Sequence, residues 1–441
     1  MKKIISVVLT VTMLFSVVSV SFGAFAAGET DYTIVNPYET VDWNQWNFYK
    51  ANLHTHSVAS DADNTITDIV SEYYNQDYDI LALTDHGVIN NGWNKSRETN
   101  GVFNYFRDCP SMSDEDYLRI TNGTDRNGRG MLDITGGIEV NMAVLSKTHV
   151  NGFFTTYGQG EWGVENDYRT AVAEIDKAGG YSHLNHIGDW MQSNAHPERA
   201  HWDSYIQYFA NILVDYPSCL GMEIVNSKDS VTKADRALWD ELLQVVIPHG
   251  RNIWAFANDD SHALDEVGRS FEYFLMPENT VESFKTAMEN GTFFACSRFH
   301  KRTDGAADTE GNGNVPLVKE IIVDEEENTL EIVLDETRDC DLVEWIANGE
   351  VISNNLKIDL NDYEEKLGCY VRFQLKGEGG ITYSQAFELQ YENRQDKEIP
   401  ERSPLFETQG GDLFLQFYHT LVFAILEFLG EKTYDLISDL F

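Results

Sequence analysis

Five short segments of this 441-residue chain carry histidines and carboxylates at spacings that suit a cluster of metal ions. They are His54-Thr55-His56 with Asp61, Thr84-Asp85-His86, Glu139 with His149, His186, and Asp260-Ser261-His262. Two of them use one device: a ligand, a spacer, a second ligand. On a strand, side chains two apart point to the same face. His54 and His56 can therefore converge on one centre, and so can Asp260 and His262. Imidazole with carboxylate suits Zn²⁺, Mn²⁺ or Fe²⁺ rather than Ca²⁺ or a thiolate-bound metal. The chemistry open to such a cluster is metal-assisted hydrolysis.

The elements between these segments alternate. Ile66, Ile69, Val70, Tyr73 and Tyr74 recur at helical spacing behind a Thr65/Asp68 capping pair. An apolar run from Asp79 to Leu83 precedes His86. A helix with Val172, Ile175 and Ala178 stops at Gly179-Gly180, and a strand from Tyr181 to Asn185 precedes His186. A strand from Gly221 to Val225, a helix from Ala234 to Val246 and a strand from Ile253 to Ala257 come next. A helix from Val281 to Met288 and a strand from Thr292 to Cys296 follow. Repeated strand-helix units predict a parallel sheet with helices outside, open or closed into a barrel. The ligands keep to the C-terminal ends of the strands, where loops of such barrels aim at the axis.

Composition bounds the rest. Lys2 and Lys3, an apolar run from Ile4 to Phe22 and the small residues around Ala24-Phe25-Ala26 predict a signal peptide over 1–26 and a secreted or cell-surface protein. The formal charge is −40, and loss of the two leader lysines makes it −42. Duplex nucleic acid is excluded as a partner, because binding it needs cationic side chains against phosphates. The five cysteines form no Cys-x-x-Cys pair, which argues against a thiolate zinc site. Cys340 and Cys369 could pair after export; alternatively, all five act as small buried hydrophobes.

The ligand-bearing segments place a metallohydrolase barrel over 27–300. The polar stretch between Asn91 and Met131 reads as a long loop with one short helix, placed over the site as a lid or specificity element. A linker rich in Asp, Gly, Asn and Thr follows over 301–315, and a small antiparallel β-sandwich over 316–392. In the 393–441 tail, Leu413, Phe414, Phe417, Tyr418, Leu421, Ile425 and Phe428 are expected to form the broad apolar face of an amphipathic helix. It would dock on the body of the protein or contact a membrane surface or the cell envelope.

Ala51-Asn52-Leu53-His54-Thr55-His56-Ser57, Leu83-Thr84-Asp85-His86-Gly87, Gly137-Ile138-Glu139-Val140 and Asn258-Asp259-Asp260-Ser261-His262 resemble, in order, the motifs of the PHP (polymerase and histidinol phosphatase) superfamily. The resemblance spans roughly residues 48–300. It implies an α/β fold, a distorted (β/α)7 barrel holding two or three divalent ions, and phosphoester hydrolysis. It also implies nine ligands: His54, His56, Asp61, His86, Glu139, His149, His186, Asp260 and His262, with Glu139 bridging two ions. The family's fourth motif is usually His-Pro, where this chain has His186-Ile187.

Neighbouring residues receive other roles. His183 is three residues from His186, so on a straight strand it faces away and packs. Asp259 likewise turns from His262. Asp85 is expected to orient a ligand imidazole. Arg269 and Arg298 are candidates for a second part of the substrate, as are Trp93 and Lys95.

Three anionic ligands against three divalent ions would leave a local charge near +3, which attracts phosphate into an acidic protein. The expected function is hydrolysis of mono- or diesters of a small organic phosphate by a metal-bridging hydroxide. Glu139 and Asp260 would hold the ions, and His149 or His186, if metal-free, would protonate the leaving group. The alternatives are a non-catalytic surface module that binds metal or ligand, and a metal-dependent amide or lactone hydrolase.

Overall fold

Residues 30–97, 108–141, 147–160, 167–229, 232–300 and 309–401 are described in the computed structural model of the chain. The expected signal peptide and the expected tail helix lie outside the described residues.

The barrel-like part is a ring of strand pairings. Strand Asn47–Asn52 pairs in parallel with Ile80–Leu81, which pairs in parallel with Leu132–Asp133. A second sheet runs in the order Ile138–Val140, Val150–Phe153, Tyr181–Leu184, Cys219–Asn226, Trp254–Asn258. Single parallel bridges join the sheets at both edges, Thr55 to Ser261 and His86 to Glu139. The pairings thus return to the strand they started from. Both seams fall on ligand segments.

Helices cover the ring. Ile66–Asn75 starts at a capping box of Thr65 and Asp68 and buries Ile66, Ile69, Val70, Tyr73 and Tyr74, the face expected from its periodicity. Tyr168–Lys177, Asp203–Asp215 and Asp235–Val246 pack on the second sheet in one cluster with Val172, Phe209, Leu243 and Ala257. One glycine is set by a close approach: a Cβ at Gly221 would stand 1.9 Å from the Trp254 carbonyl oxygen across the parallel pair.

Three features differ from the sequence reading. The ring is not wholly parallel: Val150–Phe153 runs antiparallel to both neighbours. The connection from Val140 to Val150 is too short for a parallel crossover, which takes a dozen or more residues. Strand Ser270–Met276 was not anticipated; it joins Asn47–Asn52 to Phe293–Ser297, antiparallel to both. The third feature is the chain beyond 316, which is antiparallel and β-rich but whose main sheet continues that of the ring. Gly380–Tyr383 pairs with Phe293–Ser297, and Thr33–Val35 pairs with Phe387–Gln390. Val318–Asp324, Thr329–Leu334 and Lys357–Asp359 form a separate three-stranded sheet. One hydrophobic cluster contains Val70, Trp93, Phe271, Ile332, Trp345 and Phe373, so the two regions share a core.

The polar stretch after Asn91 contains one short helix, as expected: Asp114–Asn122, capped by Ser113 and ended by Gly123 at φ 60°. The cysteines are free, and Cys340 and Cys369 donate to different backbone carbonyls, Leu342 and Leu243. Among the described residues, no helix is long and apolar enough to cross a membrane.

Candidate metal centre

Glu139 stands at the middle of the cluster, on a buried strand three residues long. Its Oε2 lies 3.2 Å from His54 Nε2, His56 Nε2 and His86 Nδ1. Its Oε1 lies 3.0 Å from His149 Nδ1 and 3.4 Å from His186 Nε2, and accepts from Asn185 Nδ2 at 2.8 Å. Asp260 Oδ1 is 3.2 Å from His54 Nε2 and 3.0 Å from His56 Nε2. Asp61 Oδ2 is 3.6 Å from His86 Nε2 and 3.4 Å from His262 Nε2. All nine residues expected as ligands therefore meet in one place.

Three groups have donor atoms close enough to share an ion: His54, His56, Glu139 and Asp260; His56, Asp61, His86 and His262; and His86, Glu139 and His149. His186 borders the last, with Nε2 3.2 Å from His149 Nδ1. The donor set fits a cation. Neutral His54 can give its Nδ1–H to Glu223 Oε1 at 2.8 Å, which leaves a lone pair on the buried Nε2; that atom makes no hydrogen bond and faces two carboxylate oxygens. His56 Nε2, also buried and without a hydrogen bond, faces the same two oxygens. Acceptors aimed at acceptors repel unless a positive charge stands between them.

The electrostatics agree. Burial opposes charge on every member, yet the imidazoles beside Glu139 and Asp260 hold both carboxyls well below the ordinary range. Burial likewise works against protonating His54 and His56, but their carboxylate neighbours win, and His56 is raised to about 10. His86 goes the other way: burial pushes it down to about 3. Without metal, protons must supply the positive charge that the carboxylates demand.

Residues 52–251 match the model of the PHP domain. This segment is a PHP domain. Asp260 and His262 lie past the matched segment, but folding brings them to the candidate ligands within it. No curated protein matches the chain. Among solved structures, a two-domain protein containing a predicted PHP-like metal-dependent phosphoesterase from Bacteroides vulgatus ATCC 8482 is 17% identical, with a TM-score of 0.39, over 78% of this chain and 96% of its own. PsfC from Pseudomonas syringae PB-5123 is 16% identical at a TM-score of 0.31, covering 53% of this chain and 84% of its own. The lesion-specific endonuclease PfuEndoQ from Pyrococcus furiosus is 16% identical at a TM-score of 0.34, covering 55% and 56%. Likenesses this remote carry no argument about substrate.

The residues around the candidate ligands are less uniform than expected. His183 is fully buried and stacks on Phe256 with ring centroids 4.6 Å apart, a packing role. Asp259 turns away and accepts the backbone N–H groups of Gly268, Arg269 and Ser270. Asp85 touches no ligand imidazole, which corrects its expected role. It accepts from Ser57 N at 2.7 Å, Ser60 Oγ at 3.0 Å and Arg97 Nη1 at 3.0 Å. Its carboxylate reaches the centre through Ser60, whose Oγ lies 3.3 Å from His56 Nδ1.

The candidates for substrate contact fare unequally. Arg269 lies at the edge of the PHP site but is committed to Glu266 Oε1 at 2.8 Å and Ser227 Oγ at 3.2 Å. Arg298 pairs with Glu310 at 2.8 Å. Trp93 is buried in the core beside Tyr117, out of reach of a substrate, whereas Lys95 is exposed. Glu223 was missed. Its one signal was an acid in the middle of an apolar strand, Gly221-Met222-Glu223-Ile224-Val225.

Proposed function

We propose that this protein is a metal-dependent phosphoesterase that hydrolyses mono- or diesters of a small organic phosphate. The observation that carries the reading is the Glu139 carboxylate, faced by five imidazoles, three at Oε2 and two at Oε1. Such an oxygen pair can hold two cations at once, and His54, His56 and Asp260 complete one of the pockets.

Bound divalent ions supply an activated water near neutral pH and the positive charge that a phosphate and its transition state need. The chain's own residues do the rest. Asn185 holds Glu139 from the side away from His54, and Asn226 donates to Asp260 Oδ2 at 3.1 Å. Asp61 and His262 are the most open ligands, with side chains 28% and 38% exposed, so substrate enters past them. His149 or His186 lies on the inner side and would give a proton to the leaving oxygen if it carries no ion. The burial of the other ligands keeps bulk water from the reacting atoms.

The leader-like residues at 1–26 support action outside the cell, and the high negative charge suits a soluble exported protein. The test is hydrolysis of p-nitrophenyl phosphate and its bis ester with Mn²⁺ or Zn²⁺ added. Turnover that chelation abolishes is expected; no turnover of either ester by fully metallated protein would refute the reading.

A further inference from the structure

Strand Cys219–Asn226 is buried along its length, and Glu223 is its one charged residue. A carboxylate in such a place survives only with its oxygens satisfied. Glu223 Oε1 accepts from His54 Nδ1 at 2.8 Å and Asn258 Nδ2 at 3.0 Å. Oε2 accepts from the His186 backbone N–H at 2.9 Å and Asn226 Nδ2 at 3.1 Å. Its carboxylate belongs to none of the three groups that could hold an ion.

The four donors are not a random set. His54 and His186 are themselves metal-centre residues. Asn258 closes the strand that leads to Asp260, and the same Asn226 amide nitrogen that reaches Glu223 also donates to Asp260 Oδ2. Two of these segments are held in unusual backbone: φ is 23° at His186 and 46° at Asp260. Residues with a Cβ persist there when surrounding contacts over-determine them. The bond from His186 N–H to Glu223 is one such contact.

We propose that Glu223 is a positioning residue that joins the His54, His186 and Asp260 segments before metal arrives and sets His54 in the tautomer that turns Nε2 to the ion. The proposal rests on the metal-centre reading. An imidazole whose Nδ1–H is spent on a carboxylate can offer only Nε2, and such outer partners commonly raise ligand affinity about 10–100-fold. Glu223→Gln keeps the size but turns one acceptor oxygen into a donor, so either the His54 and Asn258 side or the His186 and Asn226 side is lost and the joint between them is broken whichever way the amide faces.

The test is calorimetric titration of metal-stripped wild type and E223Q with Zn²⁺, beside ¹⁵N spectra of the wild-type histidines. The expected result is weakening of one ion, that of the His54, His56, Glu139 and Asp260 group, by about 10–100-fold, with the His56, Asp61, His86 and His262 group little changed. In the zinc-loaded wild type, the His54 signals should show Nδ1 protonated and Nε2 bound. Equal affinity in both proteins, or equal loss at all sites, overturns the proposal. If E223Q does not fold, the wild-type spectrum decides, and His54 bound through Nδ1 overturns it. A wild type that takes up no Zn²⁺ removes the metal-centre reading itself.

Discussion

His54 and Asp260 are joined twice: the Asp260 backbone N–H donates to the His54 carbonyl at 2.9 Å, and His54 Nε2 lies 3.2 Å from Asp260 Oδ1. The backbone contact belongs to the seam that closes the ring, so closing the fold and building the pocket are one event. Asp260→Asn keeps a side chain that tolerates positive φ and removes the charge. It should remove one bound ion and lower hydrolysis about 100-fold or more, with the fold intact by circular dichroism. His56→Ala should behave alike. Full activity in both variants would displace the assignment.

Metal removal should destabilise the protein. An ion held a thousandfold above its dissociation constant adds about 4 kcal/mol, so chelation should lower the melting temperature and Mn²⁺ or Zn²⁺ should restore it. The ligands must be deprotonated to bind, so the gap between loaded and stripped protein should close as pH falls from 8 towards 5. A gap independent of pH would argue against imidazole ligands.

Asp235 predicts a second pH effect. Burial raises its carboxyl to about 8, and only Oδ2 has a partner, the Gly188 N–H at 2.9 Å. The folded state thus keeps a proton that the unfolded chain releases near pH 4. Stability from this group is full below that pH, declines as pH rises towards 8, and is lost above it. Asp235→Asn should match wild type near pH 4 and melt higher at pH 9. Parallel melting curves across that range would refute this.

Gln385 binds the two regions. It accepts from the Ala255 N–H at 2.8 Å and donates to the Ala255 carbonyl at 3.0 Å, extending the edge of a ring strand with a side chain. Gln385→Ala should destabilise the whole protein by about 2–4 kcal/mol, because it strands a buried donor and acceptor. Unfolding should stay a single transition. A chain ended near residue 300 should not fold, whereas deletion beyond 405 should spare turnover, since no ligand segment lies there. Two separate melting steps would show that the regions are independent.

What the sequence made legible was local. The Thr65/Asp68 capping box stands where expected, and His86, His186 and Asp260 follow the strands Ile80–Leu81, Tyr181–Leu184 and Trp254–Asn258. The His54/His56 pair lies just past the end of strand Asn47–Asn52, whereas Glu139 sits inside its strand and His149 precedes one. What it hid was long-range. Nothing in Thr33–Val35 announces Phe387–Gln390 as its partner, and a short strand such as Val150–Phe153 reads alike in either direction. Glu223 escaped because one acid in an apolar run looks like an exposed exception, when it is a buried hub. Asp85 was placed one hydrogen bond too near the imidazoles, since adjacency to His86 says nothing of where the carboxylate turns.

Metal-stripped protein titrated with Mn²⁺, with bound ion and bis-p-nitrophenyl phosphate and p-nitrophenyl phosphate hydrolysis followed together, tests the central claim most directly. Hydrolysis should rise with occupancy and level off when two or three ions are bound per chain, and a His56→Ala, Asp260→Asn double variant should show neither. Ester hydrolysis by fully stripped protein, or unchanged ion uptake by the double variant, would contradict the account.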